Sequence, residues 1–107
     1  MIAYLAEADG LLGFIFCWAV AGECELLAIA VDEAYRGKGL ARQLCQTAFQ
    51  DAKTLGAQAV YLEVAVSNTP AIALYNALGF SIQHRRKAYY QRTDGSREDA
   101  FTMWLAL

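Results

Sequence analysis

The chain has 107 residues, 57% of them hydrophobic and 19% charged, which sets the scale of one domain with a small, unusually apolar core. Its net charge of −2 argues against a general attraction to nucleic acid or to an acidic membrane surface. No apolar run approaches the ~20 residues of a membrane span. The stretch from Met1 to Val20 is broken by Glu7, Asp9 and Gly10, and it lacks the basic start and small-residue cleavage site of a signal peptide. Cys17, Cys24 and Cys45 are an odd set without CxxC or Cys/His spacing. They read as reduced thiols of a cytoplasmic protein, not as a disulfide frame or a metal site. His84 is the single histidine, so a histidine-based triad or metal cluster is not expected.

In chain order, the first part reads as a strand meander. Ile2 to Glu7 is a strand, Ala8-Asp9-Gly10 a turn, and Leu11 to Val20 a second strand rich in aromatic and β-branched residues. Ala21-Gly22-Glu23 turns again, and Glu25 to Val31 is a third strand. The period then changes: Leu40, Ala41, Leu44, Cys45, Ala48, Phe49, Ala52 and Leu55 recur at helical spacing, with Gly56 as a left-handed cap. Ala59 to Ala65 is short and apolar, hence a buried strand. A second helix follows, with Thr69 expected at the N-cap, Pro70 in the first turn, an apolar stripe of Ala71, Leu74, Tyr75 and Leu78, and Gly79 as the stop. Phe80 to Tyr90 and Ala100 to Leu107 read as strands around the turn cluster Thr93-Asp94-Gly95-Ser96. The order β-β-β-α-β-α-β-β predicts an α/β fold with a mixed sheet in a single domain over residues 1–107. The central strand-helix-strand would be a right-handed crossover between parallel strands.

The segment Tyr35-Arg36-Gly37-Lys38-Gly39-Leu40-Ala41 joins a strand to a helix. Its glycines allow positive φ and close approach of the backbone to a ligand. The first N–H groups of a helix lack internal partners and sit at the positive end of the dipole, which suits a pyrophosphate. Arg36, Lys38 and Arg42 add positive charge. A Walker loop is absent, and Arg42 stands where a Rossmann fingerprint needs its third glycine. Glycines that merely serve a turn are the competing reading.

Arg36-Gly37-Lys38-Gly39-Leu40-Ala41 resembles the R/Q-x-x-G-x-G/A signature of the GNAT superfamily of N-acetyltransferases. Leu26 to Asp32 looks like the strand that precedes it. Tyr61-Leu62-Glu63-Val64, Ser67-Asn68, Ala71-Ile72-Ala73-Leu74-Tyr75 and Leu78-Gly79-Phe80 are similar to the RimI-type ribosomal-protein alanine acetyltransferases. Tyr89-Tyr90 and Glu98-Asp99-Ala100 fit the same group. The resemblance runs from about Leu11 to the C-terminus. It implies a GNAT fold, acetyl-CoA as cosubstrate, no metal, and transfer of acetyl to an amine, foremost the N-terminal amine of a protein. It further implies that Ile29, Ala30 and Val31 offer backbone groups to the pantetheine arm. Arg36, Gly37, Lys38, Gly39, Leu40, Ala41 and Arg42 would hold the pyrophosphate, and Asn68 would contact the cofactor. Glu63 falls at the position of the general base and Tyr75 at that of the general acid.

The chemistry asks for such residues. An N-terminal amine, with a pKa near ~8, must lose a proton before it attacks a thioester, and the departing thiolate must gain one. Glu63 stands in a strand otherwise made of Val, Tyr, Leu and Ala, where a charge needs a partner or a task. Strand alternation places it with Tyr61 and Ala65, opposite Val60, Leu62 and Val64. A glutamate paired with a nearby cation is the other reading. Tyr75, on its helix's apolar stripe, also reads as a core tyrosine, and Asn68 as a capping residue. Arg85-Arg86-Lys87 reads as a solvated strand face, His84 as a surface strand residue, and Cys45 as packing.

The sequence departs from the family in one respect. A strand and two helices usually precede the segment with which this chain begins, and only Met1 to Ala8 stand before the first turn. Without that unit apolar surface would be left open, for which a homodimer, a second polypeptide or a truncated reading frame are the expected explanations, a homodimer or a covering partner being predicted. It also keeps two other functions in play: an acetyltransferase for a small-molecule amine, and a non-catalytic coenzyme A binding module.

Overall fold

The structure, a computed structural model, describes residues 1–8 and 10–107, except for the side chains of Glu7, Ala8 and Tyr90. The expected turn residue Asp9 and the Tyr90 side chain lie outside the described residues. The chain divides into two compact units, Met1–Val60 with Leu107, and Tyr61–Ala106.

The first unit opens with β1 (Ile2–Ala8), β2 (Gly10–Val20) and β3 (Glu23–Val31), neighbours in that order and antiparallel at each pairing. Period-2 alternation sorts their side chains. Ile2, Ile15, Cys17, Cys24 and Leu26 are buried, while Leu5, Phe16, Trp18 and Val20 are exposed. Phe16 faces Ala28 but Cys17 faces Leu26, so Leu27 is an extra residue that bulges out of β3. Asp32 caps a short 3-10 turn, Glu33–Tyr35, through Oδ1 and the Ala34 N–H at 2.9 Å. Three residues are too few for a periodic signal, so this element was not foreseen.

The first helix, α1 (Leu40–Thr54), packs on β1, β2 and β3 with Leu44, Cys45, Ala48, Phe49 and Ala52 buried. Those are the predicted stripe residues. Leu55, counted in that stripe, is instead 70% exposed, because it lies past the last helical residue where the chain leaves the helical path. Gly56 follows with φ +98° and donates its N–H to the Lys53 carbonyl at 3.0 Å.

The second unit carries β4 (Ala59–Ala65, entered from the first unit), α2 (Thr69–Ala77), β5 (Ser81–Gln91) and β6 (Arg97–Ala106). The strand order is β4-β6-β5. Along β4, Val60, Leu62 and Val64 are buried while Tyr61, Glu63 and Ala65 are half-buried, the alternation that the sequence predicts. The N-cap of α2 is Asn68 and not Thr69, because the Asn68 Oδ1 accepts the Ala71 N–H at 3.3 Å. Thr69 becomes the first helical residue, with Pro70 still inside the first turn. Leu62, Val64, Tyr75, Phe80, Ala100 and Met103 are buried. β6 begins at Arg97, three residues before the predicted start, because Glu98 and Arg97 pair with Tyr90 and Gln91 of β5. The element order is the predicted β-β-β-α-β-α-β-β, an α/β fold.

Candidate active site

In the first unit, the site is the start of α1. Gly37 and Gly39 have φ of +77° and +79°, a region L side chains rarely adopt. A Cβ at either would meet nothing within 4 Å, so open space lies where a ligand would approach. Gly39 is the N-cap and has no side chain to receive the first helical N–H groups. Those donors and the dipole form a cradle for an anion, and this fits a pyrophosphate. Arg36 Nε donates to the Val31 carbonyl at 3.3 Å, tying the loop to the end of β3. Lys38 Nζ lies 5.3 Å from the Tyr35 ring centroid. The β3 segment Ile29-Ala30-Val31 pairs with Ile15, Phe14 and Gly13 of β2. Gly13 allows this: a Cβ there would lie 2.8 Å from the Ala30 carbonyl oxygen.

In the second unit, Glu63 projects from β4 with its side chain 26% exposed. Arg86 Nη1 donates to Glu63 Oε1 at 2.8 Å, while Oε2 is buried. The pairing with a cation, which stood as the alternative to catalysis, is therefore present. Tyr75 is buried on α2, its ring centroid 5.7 Å from that of Phe80 at an interplanar angle of 59°. The packing role expected of a core tyrosine is thus met. Asn68 spends its carbonyl oxygen on the cap.

Around these residues runs a set of ion pairs in the same unit. Arg85 Nε donates to Asp99 Oδ2 at 2.7 Å, and the Ala88 N–H to Asp99 Oδ1 at 2.9 Å. Together, the Ala88 N–H first and then Arg85, they hold the Asp99 carboxyl below its usual range. Arg92 donates to Glu98 Oε2 at 2.7 Å and the Ser67 hydroxyl to Oε1 at 2.9 Å, which lowers the Glu98 carboxyl in the same way. His84 is exposed on β5. The three cysteines are buried free thiols. Burial pushes Cys45 up to about 12, and Cys17 is raised by its hydrogen bond with Cys24 and by burial, so neither has the character of a nucleophile.

Sequence reasoning assigned Arg85 and Arg86 to a solvated face and missed both pairings. A signal did exist. The Thr93–Ser96 turn fixes the β5–β6 hairpin, and β4 alternation puts Glu63 on a face that a cation of that hairpin could meet.

Comparison with known proteins follows the same lines. The model of the acetyltransferase (GNAT) family matches residues 1–80. The chain is 38% identical over 101 residues to a ribosomal protein bS18-alanine N-acetyltransferase of Haemophilus ducreyi, covering 94% of this chain and 70% of the relative. It is 39% identical over 103 residues to the enzyme of the same name from Escherichia coli K12, covering 96% of this chain and 69% of that one. The crystal structure of the Escherichia coli ribosomal-protein-S18-alanine N-acetyltransferase superposes with a TM-score of 0.87 at 37% identity, over 98% of this chain and 68% of that one. A Bacillus subtilis acetyltransferase solved in complex with CoA gives 0.84 at 27% identity, over 98% of this chain and 76% of that one. With its glycine-started helix, its element order and these relatives, the chain belongs to the acetyltransferase (GNAT) family and is an N-acetyltransferase.

Proposed function

We propose that this chain transfers the acetyl group of acetyl-CoA to the N-terminal α-amine of a protein, a ribosomal protein beginning with alanine being the leading acceptor. The observation that carries the acceptor is identity of 38–39% across nearly the whole chain to enzymes named for that reaction. In this reading Gly37 to Arg42, with Arg36, receive the pyrophosphate, and Ile29, Ala30 and Val31 line the pantetheine arm. Asn68 adds a cofactor contact. Glu63 takes the proton of the attacking amine, directly or through water, and Tyr75 returns one to the departing thiolate. No covalent enzyme intermediate is needed. Such an acceptor places the reaction in the cytoplasm, with no membrane or nucleic acid as direct partner. Among the described residues, no helix is long and apolar enough to cross a membrane. Phe16, Trp18, Val20 and Leu27 are exposed in the first unit, and this favours a homodimer as the working form.

The test combines binding, turnover and association. Acetyl-CoA at 100 times its dissociation constant should stabilise the fold by about 2.7 kcal/mol. Peptides that begin with alanine should be acetylated faster than peptides that begin with bulky residues, and faster than polyamines or free amino acids. Turnover confined to small amines would replace the acceptor. Binding without turnover would leave a coenzyme A module, and no thermal shift at millimolar acetyl-CoA would remove the cofactor reading. Sedimentation should show a dimer, and a monomer at high micromolar concentration would refute that part.

A further inference from the structure

The β5–β6 pairing is irregular at two places, a one-residue shift between Ile82 and His84 and a larger one between Arg86 and Tyr90. Arg86 pairs with Ala100 and Tyr90 with Glu98, so three residues of β5, Lys87 to Tyr89, stand against Asp99 alone. Ala88 within this bulge has φ +51°, a left-handed conformation that a residue with a Cβ adopts only when its surroundings impose it. The imposing group is Asp99. One carboxylate oxygen accepts the Ala88 N–H at 2.9 Å and the other accepts Arg85 Nε at 2.7 Å. Bulges of this kind re-aim side chains. The side chains re-aimed here are Tyr89 and Arg86: the Arg86 guanidinium carbon lies 4.0 Å from the Tyr89 ring centroid.

Arg86 must cross β6 to reach β4, because the strand order is β4-β6-β5. Directly opposed residues of an antiparallel pair share a face, and the residue opposite Arg86 is Ala100. Its methyl group leaves the room over which the arginine passes to Glu63 Oε1, 2.8 Å away. A guanidinium accepts no proton, so Arg86 can hold one carboxylate oxygen without competing for the proton the amine must lose. Its planar fork and the stacked ring fix the direction of the hold more closely than an ammonium would.

We propose that Arg86 is a positioning residue that aims the Glu63 carboxylate, and that Asp99 sets Arg86 by bracing the bulge. The proposal rests on the reading of Glu63 as the base. Arg86 is about half exposed, so a small cation can enter the space its side chain vacates.

The experiment is a double-mutant comparison with chemical rescue in the full chain. Glu63→Gln is measured first; if its turnover stays within about twofold of wild type, the base assignment itself is wrong. Given that loss, Arg86→Ala should lower kcat by up to about 100-fold with KM for acetyl-CoA unchanged. Guanidinium chloride at concentrations that leave the fold intact by circular dichroism should restore part of it. Arg86→Lys should lie between the two. In the Glu63→Gln background, Arg86→Ala should add almost nothing, since both remove one function. Asp99→Asn should lower kcat in the same direction and be non-additive with Arg86→Ala. Should Arg86→Ala fail to fold, the same comparison is made with Arg86→Lys. Losses that multiply in the double variants, or a folded Arg86→Ala that guanidinium does not restore, would overturn the proposal.

Discussion

Glu63 on β4 and Arg86 on β5 are joined at 2.8 Å across the intervening strand β6, although 23 residues separate them in the chain. This pair decides how the carboxylate of the candidate base is held. Removing either partner takes away this contact and changes the local charge, so single substitutions here disturb charge as well as shape.

If Glu63 is the base, Glu63→Gln keeps the shape and the contact with Arg86 but cannot take a proton. Turnover should fall by about 10²–10⁴-fold with acetyl-CoA affinity nearly unchanged, and part of the loss should return at high pH, where the amine is already neutral. Tyr75→Phe keeps the ring beside Phe80, 5.7 Å away between centroids. It should slow turnover by a factor that shrinks when the thioester carries a better leaving group. Steady-state kinetics over a pH series, with calorimetry for the cofactor, reads both. Rates within about twofold of wild type for both variants would dismiss the pair as acid and base.

Asn68 has two candidate tasks, and one substitution separates them. Its Oδ1 caps α2 through the Ala71 N–H at 3.3 Å. Aspartate caps as well as asparagine does, whereas alanine loses about 0.5–2 kcal/mol. Asn68→Asp should therefore match wild type in thermal melting while Asn68→Ala falls below it. A contact with the cofactor makes itself known as weaker acetyl-CoA binding in Asn68→Asp at unchanged stability. Equal affinity in the aspartate variant would leave Asn68 as a capping residue alone.

Gly13 permits the close approach of β2 to the segment of β3 assigned to the cofactor. A Cβ added there would sit 2.8 Å from the Ala30 carbonyl oxygen and 3.3 Å from Val31 Cγ2. The clash is with backbone, which cannot swing away as a side chain could. Gly13→Ala should cost about 1–3 kcal/mol in urea unfolding. It should also weaken acetyl-CoA binding, because Ala30 and Val31 must move. Unfolding indistinguishable from wild type would mean that the strands open with little strain.

Acid should weaken the fold. Arg92 and then Ser67 hold Glu98 below the usual carboxylate range, and the Ala88 N–H and then Arg85 do so for Asp99. A carboxyl depressed in the folded state leaves the unfolded chain binding more protons. Stability is then present above the ordinary carboxylate pKa of about 4 and is lost as pH falls through the lower folded values. Urea midpoints should hold steady above about pH 5 and drop below about pH 4, and salt should shrink the effect because the pairs are near the surface. The double variant Glu98→Gln, Asp99→Asn should have a shallower acid slope than wild type. An unchanged slope would show that other carboxylates govern acid unfolding.

Local pattern was sufficient for much of this protein. β-rich composition, turn residues and the change to helical spacing located the described strands and both α-helices, since each element must bury one face or stripe. The two glycines at Gly37 and Gly39 announced positive φ at the start of α1, and alternation alone put Glu63 on the half-buried face of β4. These are consequences of bonds and neighbours a few residues apart. The N-cap of α2 slipped by one residue because Asn68 and Thr69 are both competent caps, and only the path of the chain out of β4 chooses between them. The partners of Glu63, Glu98 and Asp99 lay further out of reach. They depend on the β5–β6 register, on a bulge two residues longer than regular pairing allows, and on the small Ala100 beneath the path of Arg86. Charges close to one another in the fold but distant in the chain leave no periodic trace, so only the tertiary structure could decide which cation meets which carboxylate.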